Sequence, residues 1–121
     1  MKRILIIEDD ADVLTVLGDL LKTHGFEEHL FSSGEKAMAV IEDILPDLVI
    51  MDLMMPEMNG FEICKKIRSM SKTHNIPMIA ITGYDSVENR SRIFDAGIDD
   101  YLPKPFDVKM LLKKISDLVS G

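Results

Sequence analysis

Charged and hydroxyl side chains follow four short apolar runs of the sequence, at the points where those runs end. The runs are "ILII", "LVIM", "IPMIAI" and "YLP", and the residues that follow them are Glu8, Asp9, Asp10, Asp52, Thr82 and Lys104. Three consecutive acids at the end of a buried segment repel one another and cost desolvation energy, so they need a partner. Mg²⁺ is suited to that role, since it binds one or two protein carboxylates and keeps several waters.

The surroundings of these side chains indicate which of them would act, and how. Asp52 lies in "LVIMDLMM", where one carboxylate stands among apolar residues, and such a group is rarely tolerated without a partner. Asp9 and Asp52 would bind Mg²⁺ directly and Glu8 through water, and a phosphoryl group could join the same site. Asp52 would then be the nucleophile that forms an acyl phosphate. The Thr82 hydroxyl and the Lys104 ammonium would position the phosphoryl oxygens and stabilise their charge.

Each of these residues also has a purely structural interpretation. Asp9 or Asp10 could cap the first helix, and Lys104 taken alone could be a solvated surface lysine. Thr82 fits a strand by its propensity. The functional hypothesis therefore depends on the combination of residues and not on any one of them.

The length and composition limit the class of protein. The chain has 121 residues, which predicts one domain over residues 1–121. Lys and Arg number 14 against 21 Asp and Glu, for a formal charge of −7, so direct binding to nucleic acid is not expected. The single cysteine, Cys64, excludes an intramolecular disulfide. No apolar run approaches the length of a membrane span, and we expect a cytoplasmic domain that does not bind membranes.

Five apolar runs alternate with five amphipathic stretches along the chain. The runs lie in "RILII", "FEEHLF", "DLVIMD", "IPMIAIT" and "DDYLPKPF". Repeated β-α alternation predicts an α/β fold, in which a doubly wound parallel sheet carries helices on both faces. A small α+β fold is the alternative, but consecutive apolar residues are typical of strands buried on both faces.

Local signals predict where several helices begin and end. Gly25 would end the first helix. Ser32 with Glu35, and Asp85 with Glu88, have the spacing of capping boxes ahead of the second and fourth helices.

The carboxyl ends of the strands are where such a sheet binds its ligands, at the point where the strand order reverses. In a 2-1-3-4-5 order the first and third strands flank that point, so Asp9 and Asp52 would face each other. Pro105 would take a cis peptide bond that directs Lys104 inward.

Taken together, these motifs resemble the receiver domain of bacterial two-component response regulators. The resemblance runs from "ILIIEDD" through "PDLVIMDLMMPEMNG" and "IPMIAIT" to "DDYLPKPF", so it covers essentially the whole chain. It implies a flavodoxin-like (βα)5 fold with the strand order 2-1-3-4-5. It also implies a domain that accepts a phosphoryl group from a histidine kinase or a histidine phosphotransfer protein, with Mg²⁺ required.

The resemblance assigns roles to individual residues. These are the phosphoacceptor Asp52, the metal ligands Glu8, Asp9 and Met54 (through its backbone carbonyl), the switch residues Thr82 and Tyr101, and the site lysine Lys104. Two positions depart from the family's pattern. Gly83 stands where the family usually has alanine, and the missing methyl would widen access to the phosphoryl group. Tyr84, the next residue, would instead shield that group from water, so the two changes act on its lifetime in opposite directions.

The stretch after Thr82, "SVENRSRIFDAG", is poor in apolar residues, which indicates a helix that rearranges at low cost in free energy. A Thr82 hydroxyl drawn toward a phosphoryl group would reposition this helix, and Tyr101 would move inward. We therefore predict that the fourth helix, the fifth strand and the fifth helix form a signalling face that controls a partner or an output domain. The family resemblance is compatible with a monomer or a weak homodimer.

Three other classes of protein share parts of this pattern. A receiver-like scaffold would bind partners without phosphorylation. A phosphohydrolase of the haloacid dehalogenase type would carry a D-x-D motif after its first strand, whereas the nucleophile candidate here follows the third strand in "DLM". A flavodoxin would need a phosphate-binding loop where this chain has Glu8, Asp9 and Asp10. We therefore expect a signalling domain and not an enzyme with a separate substrate.

Overall fold

The computed structural model describes residues 1–55, 59–83 and 85–119. Five strands alternate with five helices along the chain. The strands are β1 (Arg3–Ile7), β2 (Glu27–Phe31), β3 (Leu48–Asp52), β4 (Met78–Thr82) and β5 (Asp100–Pro103). The helices are α1 (Ala11–Thr23), α2 (Gly34–Ile44), α3 (Gly60–Ser69), α4 (Val87–Asp95) and α5 (Val108–Val119).

The strands form one parallel sheet in the order β2-β1-β3-β4-β5. The predicted doubly wound fold and its strand order are both confirmed. The more polar β2 forms one edge, and the fully buried β3 and β4 lie inside the sheet. Strands buried on both faces carry apolar residues at consecutive positions, which explains why β1, β3 and β4 lack the alternation of a half-exposed strand.

The sheet separates two apolar layers, because successive side chains of a strand point to opposite faces. Leu5 and Ile7 of β1 pack on the side of α2, α3 and α4, together with the buried Cys64. Ile4 and Ile6 pack on the side of α1 and α5. The core is therefore continuous on both faces and holds the ends of the strands in fixed register.

The helix termini show where the predictions from local signals hold and where they fail. Gly25 follows the C-cap of α1 at φ 84°, a conformation that glycine adopts readily, as predicted. Asp10 caps α1 by accepting hydrogen bonds from the backbone N–H groups of Asp12 (2.9 Å) and Val13 (3.2 Å).

Both predicted capping boxes were wrong by one residue. The N-cap of α2 is Ser33 and not Ser32, because the Ser33 hydroxyl accepts from the backbone N–H of Lys36 at 3.2 Å. The N-cap of α4 is Ser86 and not Asp85, with its hydroxyl accepting from the N–H of Asn89 at 3.1 Å. Asp85 is therefore available for the other contacts described below.

Candidate functional site

The carboxyl edge of the sheet brings together residues that are far apart in the sequence. Asp52 and Thr82 are the last residues of β3 and β4. Glu8 directly follows β1, and Lys104 directly follows β5. The backbone N–H of Lys104 donates to the carbonyl oxygen of Thr82 at 2.7 Å, which fixes the start of the segment after β5. The Lys104–Pro105 peptide bond is cis, as the sequence predicted.

The centre of the site is a lysine between two buried carboxylates. The Lys104 Nζ donates to Glu8 Oε1 at 2.9 Å and to Asp52 Oδ2 at 3.0 Å. Glu8 is 1% exposed and Asp52 is 6% exposed, so neither carboxylate is extensively solvated. The second oxygen of Asp52, Oδ1, accepts from the backbone N–H of Met54 at 3.0 Å. Asp52 is therefore held at both oxygens, and Met54 is exposed.

Glu8, Asp9 and Asp52 each offer a carboxylate oxygen, and these oxygens all lie within 4.8 Å of one another. Asp9 is exposed, whereas the other two are buried. Glu8 Oε2 is buried and has no hydrogen-bond partner among the residues that the structure describes. A buried acceptor without a donor is costly, and an all-oxygen set of this kind suits a hard divalent cation such as Mg²⁺. The donor set therefore fits the metal that the sequence predicts.

Burial and neighbouring charges shift the acid–base properties of the site. Burial raises the pKa of Glu8 to about 7, and the neighbouring Asp52 carboxylate adds to the rise, while Lys104 opposes it. Burial alone would lower the pKa of Lys104, but the hydrogen bonds to Glu8 and Asp52 outweigh burial, so its pKa is raised. At neutral pH Lys104 is therefore charged, whereas Glu8 is close to its pKa and is protonated in part of the molecules.

Of the two switch residues that the sequence predicts, Thr82 ends β4, the strand beside β3, and Tyr101 lies on β5. Thr82 is buried, and Asn89 of α4 donates from Nδ2 to Thr82 Oγ1 at 3.5 Å. Tyr101 on β5 is half-buried. Its hydroxyl donates to Asp85 Oδ1 at 3.1 Å, and its ring meets that of Phe94 edge to face, with the centroids 6.1 Å apart.

The structure thus brings together four of the predicted residues, Glu8, Asp9, Asp52 and Lys104, and places Thr82 on the adjoining strand. Asp10 caps α1 instead of joining the acidic cluster. The contacts of Asn89 and Asp85 were not predicted, because a polar side chain in a weakly apolar helix, or in the loop before it, gives no signal of its partner. The prediction for Tyr84 falls outside the described residues.

Comparison with known proteins identifies the class. The profile of the response regulator receiver domain matches residues 4–116. The chain therefore belongs to the family of response regulator receiver domains, which act in two-component signalling.

Two curated relatives and two solved structures illustrate the similarity. The chain is 35% identical over 119 residues to the DNA-binding dual master transcriptional regulator RpaA of Synechocystis sp., covering 98% of this chain and 49% of RpaA. It is 38% identical over 117 residues to the response regulator MprA of Mycolicibacterium vanbaalenii, covering 97% of this chain and 50% of MprA. The chain therefore spans about half the length of these relatives.

The chemotaxis protein CheY4 of Vibrio cholerae superposes with a TM-score of 0.92 at 28% identity, covering 98% of each chain. The receiver domain of the sensor histidine kinase PA1611 from Pseudomonas aeruginosa superposes with a TM-score of 0.90 at 28% identity, covering 99% of this chain and 98% of that one. That structure has a magnesium ion coordinated in its active-site cleft.

Among the helices described here, none combines the length and the apolar character that crossing a membrane requires.

Proposed function

We propose that this receiver domain accepts a phosphoryl group on Asp52 in the presence of Mg²⁺, from a histidine kinase or a histidine phosphotransfer protein. The observation that supports the proposal is the position of Asp52. It ends a fully buried strand, its Oδ1 is held by the Met54 N–H, and its Oδ2 is held by Lys104. A fixed carboxylate is ready for in-line attack without first being ordered, which is the main requirement of phosphoryl transfer.

In this reaction Asp52 Oδ attacks the phosphorus, the bond from phosphorus to the donor nitrogen breaks, and the imidazole leaves with the electron pair. Glu8, Asp9, Asp52 and the Met54 backbone carbonyl would hold Mg²⁺, which supplies positive charge against the developing negative charge on the phosphoryl oxygens. Lys104 and Thr82 would contact those oxygens. Lys104 is already in place, since its ammonium lies 3.0 Å from Asp52 Oδ2.

We further propose that the signal leaves through α4, β5 and α5. Of the α4 residues, Ile93 is buried, Asn89 is half-buried and the others are exposed, so the helix has few packing contacts to lose when it moves. Thr82 contacts Asn89 of this helix, which couples the site to α4 directly. Amide exchange of residues 84–106 should therefore change on phosphorylation, and unchanged exchange would rule out this face.

The downstream target in this proposal is an effector or an output domain, and the 1–121 unit acts as one domain, as a monomer or a weak homodimer. The net charge of −7 disfavours direct contact of this domain with nucleic acid.

The deciding experiment is the intact mass of the protein after incubation with acetyl phosphate, with and without Mg²⁺. The wild type should gain one phosphoryl group only with Mg²⁺, and Asp52→Asn should gain none. Asp95→Asn is a matched control, because Asp95 is an exposed carboxylate on α4 and should leave the gain intact. No gain with acetyl phosphate or with a phosphorylated histidine donor would favour a scaffold that works without phosphorylation.

A further inference from the structure

Asp85 lies between the site and the proposed signalling face, three residues after Thr82 and directly before the N-cap of α4. Its carboxylate is not used as a helix cap. Instead, Oδ1 accepts from the Tyr101 hydroxyl at 3.1 Å and lies 3.4 Å from the Arg90 Nε. One oxygen therefore joins the loop before α4 to a side chain on β5 and to another on α4.

The Arg90 side chain strengthens this arrangement by fixing the loop. Its Nε also donates to the backbone carbonyl of Ser86 at 3.3 Å, so the guanidinium contacts the N-cap residue and Asp85 together. The Asp85 carboxylate is thus held toward β5 by the first turn of α4.

The two ends of α4 are attached differently. At the C-terminal end, Cys64 Sγ donates to the Ala96 carbonyl at 3.0 Å, and Arg68 donates to the Gly97 carbonyl through Nε (3.1 Å) and Nη2 (2.8 Å). These contacts join α4 to α3. The contacts of Asp85 and Asn89 at the N-terminal end connect instead to Tyr101 and Thr82, the residues that the proposed function makes mobile.

We propose that Asp85 is a latch that, in the unphosphorylated protein, holds Tyr101 in the half-buried position observed here. The functional consequence of the latch rests on the proposed function, because the latch would oppose the inward movement of Tyr101 that phosphorylation is proposed to cause. A contact made in only one of two conformations favours that conformation by its own free energy. By linkage, the same contact lowers the binding affinity of any ligand that favours the other conformation.

The latch makes Asp85 a positioning residue that acts through Tyr101, and its loss should be measurable in two ways. The chain has two tyrosines, Tyr84 and Tyr101, so 3-fluorotyrosine labelling gives two fluorine resonances that Tyr84→Phe assigns. In the protein without metal or phosphodonor, Asp85→Ala should shift and broaden the Tyr101 resonance. Asp95→Ala, which removes an exposed carboxylate from the C-terminal end of α4, should leave that resonance in place.

The second readout is the affinity for beryllofluoride, a phosphoryl analogue, in the presence of Mg²⁺. Asp85→Ala should raise this affinity about three- to tenfold, the effect expected for a partly exposed hydrogen bond to a charged group. In the Tyr101→Phe background the same substitution should have less than a twofold effect, because the hydroxyl that it acts through is absent. A merely structural role would give the same effect in both backgrounds.

The two readouts separate the latch from the proposed function. If Asp85→Ala leaves the Tyr101 resonance no more changed than Asp95→Ala does, the latch is wrong, whatever the affinity. If the resonance changes but the wild type neither binds beryllofluoride nor gains a phosphoryl group, the latch stands and the proposed function fails. Equal affinity gains in the wild-type and Tyr101→Phe backgrounds would also overturn the latch.

Discussion

The Lys104 ammonium lies 3.0 Å from Asp52 Oδ2 and holds the end of β5 against the end of β3 across the intervening strand β4. The same ammonium contacts Glu8, so one cation is shared between two buried acids. This arrangement makes the lysine both a structural contact and a competitor for any cation that binds the acids.

Replacing Lys104 by methionine should therefore destabilise the metal-free protein and strengthen its binding of Mg²⁺. Removing one partner of a buried pair leaves unpaired charge, and with the lysine side chain 31% exposed we expect a loss of about 1–3 kcal/mol in unfolding free energy. Urea denaturation measures the loss and calorimetry measures the metal affinity. Lys113→Met is the control, because its ion pair with Asp117 is exposed and should contribute less than about 1 kcal/mol. Weaker Mg²⁺ binding by Lys104→Met would contradict the expectation.

Glu8→Gln should remove the stabilisation that Mg²⁺ provides while leaving the metal-free protein as stable as the wild type or more so. The substitution takes away one of the two acids that share Lys104 and also a ligand oxygen of the cluster. Bound metal stabilises the folded state by an amount that grows with the ratio of free metal to its dissociation constant, so the test is urea denaturation across a range of Mg²⁺ concentrations. Glu28→Gln, on the edge strand β2, should keep the full metal response. A Glu8→Gln protein that Mg²⁺ stabilises as much as the wild type would refute the metal assignment.

Two glycines near the site should respond in opposite ways to alanine. A Cβ on Gly60 would lie 2.6 Å from Leu53 Cδ2 and 2.9 Å from Leu53 Cα, and the backbone atom cannot yield, so Gly60→Ala should cost about 1–3 kcal/mol. A Cβ on Gly83 would meet nothing within 4 Å. Gly83→Ala should therefore be neutral or stabilising by about 0.4–1 kcal/mol, through the unfolded chain. Denaturant unfolding of both variants is the measurement. Equal losses of unfolding free energy would show that the close approach of Leu53 to Gly60 does not determine the effect of alanine there.

Cys64 should make stability depend on pH in the alkaline range. Burial raises the pKa of this thiol, so above its ordinary pKa the folded state binds more protons than the unfolded state, and the unfolding free energy falls as pH rises. The Cys64→Ala variant has no thiol to titrate at this position. It should be less stable than the wild type at neutral pH, because it leaves a cavity and loses the contact to the Ala96 carbonyl. The gap in unfolding free energy between the wild type and Cys64→Ala should therefore narrow between pH 8 and 10. A constant gap would mean that the thiol titrates alike in both states.

The fold and the centre of the site could both be predicted from the sequence, and for the same reason. Uninterrupted apolar runs identify strands buried on both faces, and parallel strands end at one edge, so residues such as Asp52 and Lys104 had to meet. The one-residue errors in the helix caps occurred where two polar residues stand side by side, Ser32 before Ser33 and Asp85 before Ser86. Either side chain has the right chemistry, and only the backbone conformation decides between them.

Contacts that depend on side-chain rotamers across elements could not be predicted. The Asp85–Tyr101 contact joins residues 16 apart, and the Arg68 contacts to Gly97 join residues 29 apart. No periodicity encodes either pair, because both residues of each pair also suit a solvated surface.

The separation of the site residues along the chain has a consequence for the folding of the protein during its synthesis. Glu8 and Lys104 are 96 residues apart, so their contact closes a long loop of the polypeptide, and contacts between residues so far apart are slow to form. During synthesis the acids emerge long before the lysine that pairs with them. We expect that a nascent chain without β5 and Lys104 leaves Asp52 without its lysine partner, so that the proposed phosphoryl transfer would begin only after the whole domain has been made.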